Sequence, residues 1–411
     1  MKIFNRKLKI TSSALLTLCM VFVMTACAEN SSQSEKSQPA EQTTVQSTTM
    51  SAEEINDRKL DKFISDMTLE EKVGQMFFVR CPDEDAVQQV SKYNIGGYIL
   101  FGRDFDGKTK DEVVDDIHSY QNEADIPLLI GVDEEGGTVV RVSSNPNLRE
   151  TPFLSPKDTY ADGGWDAVKQ DAEEKADLLL SLGINVNLAP VCDMTSDEYG
   201  FMYDRSFSSD VDMENRYVRT VVETSKSKKL GTVLKHFPGY GNNSDTHTGI
   251  AYDDRDYSEF ENTDFKPFYQ GIESGADCIL VSHNIVNCMD SEYPASLSQK
   301  VHDILRNEFK FDGVIMTDDL IMDAITDFTG DEAAAVTAAK CGNDLLCCSS
   351  VDTQYPAVLE AVQNGEIPET QVDASVKRIL KWKQNLGIFN IDTYQKKVKS
   401  TEPTDTVGSE E

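Results

Sequence analysis

The stretch from Lys235 to Gly249 places two of the chain's five histidines, His236 and His247, beside Lys235, Asp245 and three glycines. Asp245 and His247 stand two apart, so in an extended segment both side chains project to one side. There a carboxylate can orient an imidazole and stabilise its charged form, which makes the pair a proton-transfer device. Glycine and asparagine also build ordinary surface loops, and the segment by itself admits that plainer reading.

Other groups of the same kind follow short apolar runs. Gly313-Val314-Ile315-Met316-Thr317 delivers Asp318 and then Asp319, either of which could serve as a nucleophile while the other caps the next helix. Gly131-Val132 leads into Asp133, Glu134 and Glu135, acids that could accept hydrogen bonds from hydroxyls; Gly136 and Gly137 would then let the backbone approach a ligand. Arg205, Lys235 and His236 add basic side chains. Arg and Lys only donate, so they suit sugar hydroxyls, a carbonyl or a carboxylate, or else a structural ion pair. The acids lack the D-x-D-x-D-G spacing of a calcium loop, and no C-x-x-C spacing suggests zinc. No cofactor or metal is implied.

These residues need a scaffold that brings distant positions together. Eight apolar runs, rich in Val, Ile and Leu without strict alternation, read as parallel strands buried on both faces. They are Gly74 to Arg80, Gly97 to Phe101, Pro127 to Val132, Asn185 to Val191, Thr232 to His236, Cys278 to His283, Gly313 to Thr317 and Asp344 to Cys348. Helical patterns alternate with them, most clearly at Asp171 to Leu182, Asp331 to Lys340 and Thr370 to Leu386, the last a closing helix through Val376, Ile379, Leu380 and Trp382. The expected fold is α/β, a single (β/α)8 TIM-type barrel with no second domain. Most of the runs end near a chemically competent residue: Arg103, Asp133, Asp193, Lys235, His236, His283 or Asp318. In such barrels the active site lies at the C-terminal strand ends.

Composition narrows the function. The 411-residue chain carries a formal charge of −32, which argues against sequence-independent binding of nucleic acid. Residues 1–26 read as an export signal: basic residues, an apolar run from Ile10 to Val23, then Met24-Thr25-Ala26 before Cys27. Small residues immediately before that cysteine resemble a bacterial lipobox, which makes Cys27 the expected lipidation site and the protein extracytoplasmic and lipid-anchored to the cell membrane; a freely secreted protein is the alternative. Residues 27–50 form a tether rich in Ser, Thr, Gln and Glu, residues 51–390 the barrel domain, and residues 391–411 a polar acidic tail. Of nine cysteines, Cys192, Cys278, Cys347 and Cys348 lie in or against apolar runs and are expected to be buried free thiols. The sequence does not fix the oligomeric state.

From about Ser51 to Leu386 the chain resembles glycoside hydrolase family 3, in its bacterial β-N-acetylhexosaminidase branch. The resemblance rests on the motifs Met67 to Met76, Val132 to Gly137, Leu188 to Val191, Asp204 to Phe207, Lys235 to His247, Pro294 to Ser298 and Thr317 to Leu320. It implies an exo-acting, retaining β-N-acetylglucosaminidase that removes terminal non-reducing N-acetylglucosamine from peptidoglycan fragments or related amino-sugar glycosides. Asp318 matches the family's nucleophile, His247 its acid/base and Asp245 the partner of that histidine. Asp133, Arg205, Lys235 and His236, assisted by Arg141, match positions that hold the terminal sugar. Two residues depart from the pattern: Tyr240 stands where many members have histidine, and Asp319 where alanine is common in some. Two other functions stay in view. One is a phosphate-dependent phosphorylase, since a neutral imidazole does not repel phosphate as a carboxylate would. The other is a non-catalytic glycan-binding surface lipoprotein, which would have no use for an acid/base pair.

Overall fold

In the computed structural model, which describes residues 50–243, 249–329 and 331–397, all eight expected strands form. They are β1 (Phe77–Arg80), β2 (Gly97–Leu100), β3 (Leu129–Val132), β4 (Val186–Asn187), β5 (Gly231–Phe237), β6 (Cys278–Val281), β7 (Val314–Thr317) and β8 (Leu346–Cys348). Every neighbouring pair is parallel, and β8 pairs with β1 through Phe77↔Leu346. A parallel bridge between Met316 and Leu345 joins β7 to β8 and closes the barrel. Its compact unit begins at Ser51.

The missing polar/apolar alternation has a direct cause: both faces of each strand are buried, in different cores. Phe77 and Val79 face the helices, whereas Phe78 between them points into the barrel with Ile99, Leu129, Leu280, Val314 and Cys347. Side chains thus fill the interior in layers, as this fold requires. Removing a ring such as that of Phe78 would cost about 3–5 kcal/mol. The helix Glu369–Asn385 supplies Ile379 and Trp382 to the same interior core, and the Trp382 indole lies against Gly231 at the start of β5. It closes the end of the barrel opposite the candidate site.

Short-range signals set several helices. Thr68 and Glu71 make a reciprocal capping box at the start of the helix Leu69–Gln75, and Ser51 and Glu54 do the same for Ala52–Ser65. The helix after β3 is longer than the periodicity suggests. It runs Pro156–Ser181 from a Ser155 cap, and a break at Gly163 and Gly164 interrupts the pattern that would have revealed its first turns. Beyond the last helix, Tyr394 packs edge-on against Phe63 at 4.9 Å, so residues 391–397 lie against the barrel. Cys192, Cys278, Cys347 and Cys348 are buried free thiols.

Candidate active site

The three acids after β3 diverge. Glu134 turns inward and accepts from the backbone N–H groups of Arg141 and Val142 at 2.9 and 2.8 Å, so it folds its own loop. Asp133 and Glu135 instead receive Lys235, which leaves the middle of β5 and places its Nζ 2.5 Å from Asp133 Oδ1 and 2.7 Å from Glu135 Oε1. Arg205 forks onto the same Glu135 carboxylate through Nε and Nη2 at 2.9 and 2.8 Å. Burial alone would raise the Glu135 carboxyl, but the two adjacent cations outweigh it and hold the group well below the usual carboxylate range. Burial likewise opposes the charge on Lys235, and Asp133 and Glu135 more than restore it, so its ammonium is raised above its ordinary value. Ion pairs buried this deeply contribute little net stability; they fix the position of the groups they contain.

Gly136 has a role within the fold itself. Its φ is +102°, and a Cβ there would lie 2.1 Å from the Leu154 carbonyl oxygen, so the close approach is to the chain's own loop.

His236 is held from both sides. Its Nδ1 lies 2.7 Å from Asp193 Oδ2, and its Nε2 lies 3.2 Å from Arg205 Nη2. A guanidinium only donates, so Nε2 accepts and the ring proton sits on Nδ1, facing the carboxylate. Asp193 is fully buried and also accepts from the backbone N–H groups of His236 at 3.0 Å and Tyr240 at 2.7 Å. It therefore ties the end of β5 to the root of the loop that follows. Tyr240 fills the space beside it, edge-on to Phe201 and to His236 at 5.2 Å each. Gly239, at φ +118°, passes so close to Asp264 that a Cβ would meet its carboxylate at 2.4 Å, while Arg255 donates to the Gly239 carbonyl at 3.0 Å. The glycine in this motif is where the loop crosses an Arg255–Asp264 ion pair.

At the end of β7 the two aspartates separate by environment. Asp318 opens onto the cleft, with Oδ1 accepting from the Asp319 N–H at 2.8 Å. The Asp319 carboxylate is engaged by the Ile321 N–H at 3.2 Å and the Ser349 hydroxyl at 2.5 Å. Burial raises its carboxyl above the ordinary value, against the lowering effect of those hydrogen bonds. Behind the turn, His283 Nε2 donates to the Asp319 carbonyl at 3.0 Å, and the Ser296 hydroxyl donates to its Nδ1 at 2.7 Å. The Pro294 to Ser298 motif thus braces the turn that carries Asp318.

Asp133, Arg141, Arg205, Lys235, His236 and Asp318 line one cleft of about 420 Å³ at the C-terminal strand ends, together with Arg80, Phe101 and Glu135. Asp245, His247 and Cys27 lie outside the described residues. Arg103 does not join the cleft: it turns to Asp83 at 2.7 Å, in a short helix beyond β2. Asp193 and His283 sit behind it as supports. A second cavity of about 230 Å³, lined by Phe63, Met67, Ile95 and Tyr394, lies among the helices and is largely apolar. It holds none of the groups above.

Sequence reasoning named Glu135 and Asp193 only as strand-end acids, without a partner or a role, and passed over Arg80. Position at a strand end was the available signal for all three, but nothing in the sequence says which of three adjacent acids pairs with the cations.

Comparison with known proteins fits this geometry. Residues 68–382 match the model of the glycosyl hydrolase family 3 N terminal domain. A beta-hexosaminidase of Nitrosomonas eutropha is 32% identical over 273 residues, spanning 64% of this chain and 77% of that protein. The beta-hexosaminidase LpqI of Mycobacterium tuberculosis is 31% identical over 327 residues, 75% of this chain and 81% of LpqI. Its solved structure superposes with a TM-score of 0.72 at 26% identity, covering 79% of this chain and 96% of that one. A family 3 beta-N-acetylglucosaminidase from a Paenibacillus species gives a TM-score of 0.74 at 29% identity, covering 84% of this chain and 66% of that longer one. The chain therefore belongs to glycosyl hydrolase family 3, and its barrel is that family's N-terminal domain.

Proposed function

We propose that the protein is an exo-acting, retaining β-N-acetylglucosaminidase that removes terminal N-acetylglucosamine from peptidoglycan fragments or related amino-sugar glycosides. The observation that carries this reading is the placement of Asp318, open at the end of β7, in the same cleft as the Asp133–Lys235–Glu135–Arg205 network. Relatives that share the barrel bear the names beta-hexosaminidase and beta-N-acetylglucosaminidase.

Asp133, Arg205, Lys235 and His236 hold the hydroxyls of the terminal sugar, and Arg141 assists. His247, oriented by Asp245, gives its proton to the glycosidic oxygen as that oxygen leaves with the bonding electrons; an Asp318 oxygen bonds to the anomeric carbon. In the second step the neutral imidazole takes a proton from water, the water oxygen bonds to the anomeric carbon, and Asp318 departs with its electron pair. The protonated imidazole and the Asp318 carboxylate are restored. The proposed setting is outside the cytoplasmic membrane, with the chain anchored through lipid on Cys27.

Product analysis on an aryl β-N-acetylglucosaminide, with and without inorganic phosphate, tests the reading. Release of free N-acetylglucosamine without phosphate is expected. Formation of the sugar 1-phosphate alone would make the protein a phosphorylase, and no turnover of any amino-sugar glycoside would leave a glycan-binding lipoprotein.

A further inference from the structure

The segment that carries Asp245 and His247 leaves the end of β5 through Pro238-Gly239-Tyr240-Gly241 and returns through Gly249, Ile250 and Ala251. On the return the chain forms a two-residue strand, Tyr252–Asp253, which pairs in parallel with Ile285–Val286, and then reaches Arg255. That guanidinium touches both arms. Its Nη2 donates to the Gly239 carbonyl at 3.0 Å on the outgoing arm and to Asp253 Oδ2 at 2.8 Å on the returning one. Its Nε lies 3.1 Å from both Asp253 oxygens, and its Nη1 lies 3.1 and 3.0 Å from the two oxygens of Asp264. Both carboxylates are buried, and the guanidinium carbon sits 4.2 Å from the centroid of the Phe260 ring.

Gly241 is where the outgoing arm packs on this group. A Cβ there would stand 2.7 Å from Arg255 Nη1 and 2.8 Å from the guanidinium carbon, at a φ of +54°. One side chain thus accounts for two glycines of the motif: Gly239 gives it a carbonyl and Gly241 gives it room. A guanidinium suits the place because its donors are fixed in one plane and reach several acceptors at once, which a single ammonium cannot reproduce. By joining residues 239 and 253 it makes the intervening chain a closed loop instead of two independent arms, with fewer arrangements open to it. Asp193 fixes the outgoing arm; Arg255 ties that arm to the returning one. Arg255 does not line the cleft, so its effect on the reaction passes through what the loop carries. Position matters there, because a displacement of about 1 Å at reacting atoms costs on the order of 100-fold in rate.

Resting on the proposed β-N-acetylglucosaminidase activity, we propose that Arg255 is a positioning residue for proton transfer: by clasping the two arms of the loop it sets where His247 meets the glycosidic oxygen. Its contribution is then confined to steps that need the proton of His247.

The test is a double-mutant cycle read on two substrates: a β-1,4-linked N-acetylglucosamine disaccharide, whose leaving alcohol needs a proton, and an aryl β-N-acetylglucosaminide with an activated phenolate, which needs little. The readout is the ratio of their kcat/KM values in the wild type, Arg255→Met, Arg255→Lys, His247→Ala and the double variant Arg255→Met/His247→Ala. A ratio within one variant cancels any general loss of folded enzyme. Arg255→Met is expected to lower kcat/KM on the disaccharide about tenfold to a hundredfold more than on the aryl glycoside. Arg255→Lys, which keeps the charge but not the fork, should recover part of that ratio. Once His247 is Ala, adding Arg255→Met should change the ratio by no more than about twofold, because residues that act as a unit are not additive. Equal losses on both substrates would overturn the proposal and leave Arg255 a structural clamp, as would a full effect on the ratio in the absence of His247. If Arg255→Met yields no folded protein, Arg255→Lys decides: a lowered ratio supports the proposal and a ratio equal to the wild type's overturns it. A wild type that turns over neither substrate would remove the activity and this proposal with it; a selective His247→Ala beside an unselective Arg255→Met would remove only the role of Arg255.

Discussion

Asp193 Oδ2 lies 2.7 Å from His236 Nδ1, and the same carboxylate takes the backbone N–H of His236 and of Tyr240. One buried acid thus sets the tautomer of a cleft histidine and the direction in which the chain leaves β5. Asp193→Asn keeps the shape but offers one acceptor oxygen to three donors, and turns an N–H₂ toward some of them. Loss of a charge-assisted hydrogen bond is worth about 1.5–3 kcal/mol. The expected outcome is a fall in kcat/KM of about tenfold or more on an aryl β-N-acetylglucosaminide, seen in steady-state kinetics. Unchanged kinetics would show that neither the tautomer nor the loop root depends on this acid.

Glu135 is a carboxylate shared by Lys235 and Arg205. Glu135→Gln leaves two buried cations with less than their compensation, and breaking such a pair costs about 3–5 kcal/mol. Chemical denaturation should register that loss near neutral pH. The pH dependence has a definite sign. The folded-state carboxyl is depressed, so its contribution is full above the unfolded value of about 4.3 and is lost as pH falls below that toward the folded value. Between pH 4.3 and stronger acid, Glu135→Gln should therefore lose stability less steeply than the wild type. Parallel curves would mean that Glu135 is not the depressed group.

Asp318 and Asp319 are adjacent but differently placed. Asp319 is committed to the Ile321 N–H and the Ser349 hydroxyl, whereas Asp318 opens onto the cleft. Asp318→Ala should reduce kcat by about 1000-fold or more, the scale expected when a nucleophile is removed. Asp319→Asn, which retains an acceptor for the Ile321 N–H, should lose much less. The reverse order in measured kcat would exchange their roles.

Removal of the acid should depend on the leaving group. In His247→Ala, an activated phenolate departs without much protonation, whereas a sugar alcohol does not. General acid catalysis contributes about 100-fold to 10,000-fold, so the variant's kcat/KM should drop by that order on a disaccharide and by clearly less on the aryl glycoside. Equal losses on the two substrates would remove His247 from the acid role.

The barrel was legible because strands buried on both faces read as apolar runs, and β1 to β8 all fall where those runs are. The expected fourth run shows the limit. Only Val186–Asn187 pairs regularly, because Pro190 has no N–H to extend the ladder, although Val191 bridges to Lys235 beyond it. The candidate binding residues were legible as strand-end groups, and their chemistry followed from residue type. Their partners were not, since Arg205 and Lys235 pair with acids 70 and 102 residues away. Whether Glu134 or Glu135 faces the cations depends on register, and adjacent residues of a chain leaving a strand point to opposite sides.

The central claim is double displacement through Asp318, and the stereochemistry of the first product tests it most directly. Proton NMR during hydrolysis of an aryl β-N-acetylglucosaminide would follow the anomeric signal before mutarotation. Two inversions at the anomeric carbon predict that β-N-acetylglucosamine appears first and the α-anomer grows in later. Initial release of the α-anomer would contradict the account, because a single displacement by water has no place for a bond to Asp318.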